Sequence, residues 1–179
     1  MAEAWLGGPV EGVPPPLMPA AHALLDAEED LRTAAAGLTV GQLWMRPGGA
    51  ASVGFHLRHV AGSVERLLTY ARGERLSAGQ LAAIRREGEP GDPPATADEL
   101  LSSLGHALAA ALDALRATPP DSLPEARTVG RAGLPSTVQG LLFHAAEHAR
   151  RHAGQTVATA AIIRGLGTRL GAELDLDRG

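Results

Sequence analysis

Residues 144–155, HAAEHARRHAGQ, place His144, His148 and His152 at successive four-residue steps, with no Gly or Pro before Gly154. In a helix each step turns about 400°, so the three imidazoles share one stripe with about 40° of drift per step. Two imidazoles one turn apart can grip one cation, because ring nitrogens bind at about 2.0–2.1 Å. His56 and His59 form a second cluster far upstream. The simplest chemistry these residues could build is a histidine-ligated divalent metal held between two helices.

Which upstream histidine would take part is open on spacing alone. Val53, Leu57, Val60, Val64, Leu67, Leu68 and Ala71 recur at three- and four-residue intervals and share one helix face. At about 100° per residue, His56 lies about 60° from the centre of that stripe and His59 about 120°. Periodicity therefore favours His56. Gly62 and Ser63, however, follow His59 on its own side and would leave room for a ligand. His148 and His152 sit at the edge of an apolar face made by Val138, Leu142, Ala145, Ala149, Thr156 and Ile163. His22 and His106 stand alone on predicted helices and read as surface or core residues. Glu65 and Glu147 are candidates to orient an imidazole. Arg150 and Arg151, three and four residues beyond Glu147, are competing partners for it.

The elements that must position these residues are helical. Alanine and leucine dominate, and aromatic residues make up only 3% of the 179, a composition that favours helix over sheet. Residues 1–16 are rich in Gly and Pro and read as a flexible, extended tail. Pro19 suits a helix start, and the first helix runs to near Gly37. A loop with at most one short turn leads to a second helix from Ser52 to near Gly73. Ser77 can cap a short helix through Ile84, followed by the turn-rich REGEPGDPPA. Thr96 and Glu99 are spaced as a capping box at the head of a helix reaching about Ala117. Residues 118–135 read as a long crossover loop. Ser136 and Gln139 are again spaced as a capping box, for a last helix to about Arg164. No strand pattern and no internal repeat is visible. The expected fold is all-α, a four-helix bundle over residues 17–165 with a long crossover connection, and a C-terminal extension at 166–179.

Composition also excludes chemistry. There is no cysteine, which removes disulfides, zinc fingers, iron–sulfur clusters and cysteine nucleophiles. Any thiol would have to come from a co-substrate. All 16 basic residues are arginine, so no Schiff-base lysine or P-loop lysine exists. The lack of both Lys and Asn, whose codons are A/T-rich, points to a GC-rich bacterial genome. A net charge of −4 gives no basic stripe for nucleic acid. No apolar run approaches the roughly 18 residues of a membrane span. The N-terminal MAEAWLGGPVEGVPPP has acidic residues and no basic ones, unlike a secretory leader. A cytoplasmic protein without membrane or nucleic-acid partners is expected.

These residues resemble the DinB/YfiT-like superfamily of metal-binding four-helix bundles. In SVGFHLRHVAGSVERLL, Ser52, His59 and Glu65 match the offsets of that family's second helix. In the last helix, His148, His152, Gly154 and Gln155 match its signature, and TVGQLWMRPGGAAS is similar to its inter-helix loop. The resemblance picks His59 over His56, against the periodicity. It implies a metal site of His59, His148 and His152 with open positions filled by water, and His56 and His144 as outer-shell or pocket residues. Ala153 departs from the family, which often has arginine there. All-imidazole ligation favours zinc or nickel, with iron or manganese also open. Relatives implied by the resemblance include S-transferases that use bacillithiol or mycothiol and a mycothiol-dependent maleylpyruvate isomerase. The expectation is a divalent-metal-dependent transferase acting on a low-molecular-weight thiol and an electrophile. The alternatives are a non-catalytic metal- or ligand-binding stress protein and a metal-dependent hydrolase. A homodimer is also expected, with Leu100, Leu101, Leu104, Leu108 and Leu115 supplying part of its interface. Histidine ligands should release metal as pH falls through about 6.

Overall fold

Hydroxyl side chains open the helices on which the histidines ride. The computed structural model describes the backbone of residues 3–176 and the side chains of residues 3–167. Ser52 Oγ accepts from Phe55 N at 3.1 Å and starts α3, Val53–Ala71. Thr39, Ser77 and Thr96 form capping boxes with Gln42, Gln80 and Glu99. They head α2 (Val40–Trp44), α4 (Ala78–Arg86) and α5 (Ala97–Ala117). Each box satisfies donors that a helix N-terminus otherwise leaves unpaired. Pro19 lies in the first turn of α1, Met18–Ala35. The last helix, α6, spans Val138–Leu176.

The chain is mostly helical, as expected. The apolar stripes of the four long helices meet in one core. α1 brings Leu24, Ala27 and Leu31; α3 brings Leu57, Val60 and Val64; α5 brings Leu104, Leu108 and Leu115; α6 brings Leu142, Ala149 and Ile163. α6 packs on α1 and α3, and α5 packs on α3 and α1. The closeness of α3 and α6 matters most, since each carries two of the clustered histidines. Ala149, Ala153 and Ala160 are fully buried on α6, and side chains that small allow a close approach. Ala153 is thus a core residue.

Four expectations need correction. First, the long connection after α5 is not strandless. β1 (Ala126–Val129) pairs antiparallel with β2 (Leu134–Thr137), Ala126 opposite Thr137. Gly130 and Gly133, both at positive φ, turn the hairpin. Arg127 Nε donates to Ala71 O at 2.7 Å and ties it to the end of α3. Strands of four residues are too short to show an alternating pattern. Second, Thr137 rather than Ser136 caps α6, its Oγ1 accepting from Gly140 N at 3.0 Å. Ser136 is held in β2. Third, α6 does not stop near Arg164. The Arg164 guanidinium donates to Ala34 O and Ala36 O at the end of α1, and the helix continues through Gly165 and Gly167 to Leu176. Residues 177–179, the end of the expected extension, lie outside the described residues. Fourth, the N-terminal segment lies against α1 rather than extending freely. Ala4 N donates to Asp26 Oδ1, His22 Nε2 lies 2.9 Å from Gly8 O, and Val13 is buried.

Four of the five leucines expected at a dimer interface turn inward instead. Leu100, Leu104, Leu108 and Leu115 are buried within the chain's own core. Among the described residues of α6, Phe143, Val157, Ile162 and Leu166 are large apolar residues left exposed.

Gly54 shows how tightly α3 is fitted to the loop before it. A Cβ there would sit 2.9 Å from two carbons of the Trp44 indole. That ring cannot easily retreat, since its Nε1 donates to Ala95 O at 2.9 Å and the Arg58 guanidinium lies 4.8 Å over it. Gly54→Ala would gain about 1 kcal/mol of helix propensity, but overpacking costs about 1–3 kcal/mol. The expected result is a net loss of up to about 2 kcal/mol by chemical denaturation. An unchanged midpoint would mean that the indole yields freely.

Candidate metal centre

α3 and α6 bring four imidazoles together. His59 Nε2 lies 2.9 Å from His148 Nε2, and His56 Nδ1 lies 3.1 Å from His152 Nδ1. The His152 ring centre is 4.5 Å from those of both His59 and His148. One nitrogen from each of His59, His148 and His152 falls within 4.8 Å of the others. These are the three residues expected from the sequence. Their helical spacing puts His148 and His152 on one side of α6, and the α3–α6 packing carries His59 to meet them.

Glu87 completes the arrangement. Its Oε2 lies 2.7 Å from His59 Nδ1, and its Oε1 accepts from Arg66 Nη1 at 2.7 Å. A carboxylate there holds a proton on His59 Nδ1 and leaves Nε2 as a bare lone pair. Phe55 stacks on the His59 imidazole, the ring centres 5.1 Å apart and the planes 12° from parallel. The ring is therefore fixed in both position and tautomer. Gly62 makes space for the Glu87–Arg66 pair, because a Cβ would meet Arg66 Nη1 at 2.8 Å and Glu87 Oε1 at 3.0 Å. The small residue expected to leave room for a ligand leaves room for this pair.

Glu87 had no signal in the sequence. It follows α4 in a stretch that reads only as a turn-rich link, 28 residues from His59. Arg58 holds that stretch in place by donating to the carbonyls of Arg86, Glu89 and Pro90. Neither of the two glutamates singled out by spacing is at the site. Glu65 accepts from Gln80 Nε2, while Glu147 pairs with Arg151 and His144. His144 is half exposed and faces that ion pair, although its ring remains 5.4 Å from that of His148. His106 is exposed on the wall of a cavity of about 650 Å³ between α3, α4 and α5; none of the four clustered histidines lines it.

Burial and mutual repulsion keep His56, His148 and His152 neutral. Burial first, then the neighbouring His152 and His59, lowers the pKa of His56 to about 4. Burial and the same kind of histidine neighbours lower His148 to about 4. His152 is lowered too, by burial and then by His59 and Arg151. Burial pushes the Glu87 carboxyl up, but hydrogen bonds from His59 and Arg66 and the Arg66 charge outweigh it and hold it below the usual range. At neutral pH His148 and His152 offer uncharged nitrogen donors, and Glu87 stands by as an ionised carboxylate. His148 Nδ1 is buried and has no hydrogen-bond partner.

Residues 23–156 match the family model of the DinB superfamily. No curated protein matches the chain. Among solved structures, a conserved protein from Enterococcus faecalis superposes with a TM-score of 0.67 at 20% identity, covering 83% of this chain and 97% of its own. At that identity the likeness concerns the fold alone.

Proposed function

Because the chain belongs to the DinB superfamily, we propose that it is a metal-dependent transferase whose His59, His148 and His152 hold one divalent cation. Within that reading, the four long helices are the family's bundle, and the α5–α6 connection with its hairpin is the crossover. The observation that carries it is the pair of facing Nε2 atoms of His59 and His148, 2.9 Å apart, with His152 beside them. Two ligands on one cation, with bonds of about 2.0–2.1 Å, stand about 2.9 Å apart at a right angle and about 3.3 Å apart at the tetrahedral angle. Neutral imidazoles suit zinc or nickel best among common divalent ions, with iron and manganese next.

When bound, such a cation supplies the Lewis acidity that makes a thiol ionise near neutral pH. The protein's own groups do the rest. Glu87 keeps the His59 proton on Nδ1, so Nε2 is available without any rearrangement. Phe55 holds the ring's plane. The chain has no cysteine of its own, which supports a small-molecule thiol as the nucleophile and an electrophile as its partner.

The test is incubation of the metal-loaded protein with a panel of low-molecular-weight thiols and a haloarene or epoxide. The expected result is a thiol conjugate that forms only with metal present. Turnover without thiol would make the protein a hydrolase, and no turnover with any pair would leave it a metal-binding protein.

A further inference from the structure

We propose that His56 is the positioning residue for His152: it accepts the Nδ1–H of His152 and so leaves the His152 lone pair on Nε2. Both the direction of the hydrogen bond and the use of that lone pair rest on the reading above, in which His152 is a ligand and His56 is not. A neutral imidazole has one N–H and one lone pair. With no ion between them, two neutral ring nitrogens 3.1 Å apart are one donor and one acceptor. His56 is the most buried of the four clustered histidines, with 5% of its surface exposed. Its ring packs edge-on against Phe55, with centroids 5.3 Å apart. Its backbone N–H is bonded to Ser52 O in the capped first turn of α3. The ring is thus held by packing, and it stands outside the group of three nitrogens that converge.

The arrangement repeats what Glu87 does for His59. In each case a group outside the cluster lies against Nδ1 of a candidate ligand. The partner of His59 is a carboxylate, and the partner of His152 is a neutral ring. His148 Nδ1 has none. His56 explains why a buried histidine lies beside the site without belonging to it.

Ring-nitrogen NMR of the histidine-labelled protein at pH 7.5, with and without zinc, tests this. His152 is expected to carry its proton on Nδ1 in both states, and His56 on Nε2. His56→Phe should raise the zinc Kd about 10–100-fold and abolish the His152 tautomer preference. His56→Asn, which keeps an acceptor near the Nδ1 position, should recover most of the loss. A His152 proton on Nε2 in the zinc-free wild type overturns the proposal, as do Phe and Asn variants that weaken zinc equally. If His56→Phe fails to fold, the wild-type tautomer alone decides. If the wild type takes up no zinc while His152 carries its proton on Nδ1, the metal reading fails and the positioning role stands.

Discussion

Replacing His148 with alanine is expected to reduce bound zinc from about one ion per chain to background, read by elemental analysis after dialysis. Three neutral nitrogens are the smallest donor set that makes a typical zinc site. His148 supplies the one that faces His59 Nε2 at 2.9 Å. His59→Ala and His152→Ala should behave alike. His144→Ala should retain the ion, since His144 is turned toward Glu147 at the surface. Zinc kept by the His148 variant but lost from the His144 variant would show that the cluster is not the site.

Acid is expected to act on this protein in two stages. In the metal-free chain, His56 and His148 titrate at about 4 in the fold, against about 6.5 when unfolded. Between those values the unfolded state binds more protons, so stability rises with pH. The contribution is complete above about pH 6.5 and is lost as pH falls through about 4. For His56 alone the shift corresponds to about 3 kcal/mol, at about 1.4 kcal/mol per pKa unit. Zinc adds stability by binding only the folded state. Because His56 and His148 stay neutral well below 6.5, the zinc-induced rise in Tm should persist at pH 5.5 and vanish by pH 4. The sequence alone places that loss near pH 6, the behaviour of exposed imidazole, and burial moves it lower. Melting curves at pH 7.5, 5.5 and 4, with and without zinc, check this. A zinc effect that disappears between 7.5 and 5.5 would mean that the histidines are not shielded as the structure has them.

Periodicity and capping chemistry made the helices legible. Ser52, Ser77 and Thr96 each act on a backbone N–H three residues away, and that information is local. The same holds for His148 and His152, whose four-residue spacing is a property of one helix. Only a family resemblance favours His59 over His56, because the two lie three residues apart on one helix and differ in which neighbour they meet. That difference belongs to the α3–α6 contact, where His59 faces His148 and His56 faces His152. Glu87 was invisible for the same reason. It reaches His59 across 28 residues, and no local pattern marks a carboxylate at the end of a short helix. The β1–β2 hairpin, the course of the N-terminal segment along α1 and the extra length of α6 depend on docking to distant elements, through Arg127 to Ala71, Ala4 to Asp26 and Arg164 to Ala36. A chain's own sequence determines what its backbone can satisfy within a few residues, such as turns, caps and the apolar side of a helix. Which buried polar groups meet, and therefore which proton sits on which imidazole, is decided only when packing brings distant segments within hydrogen-bonding distance.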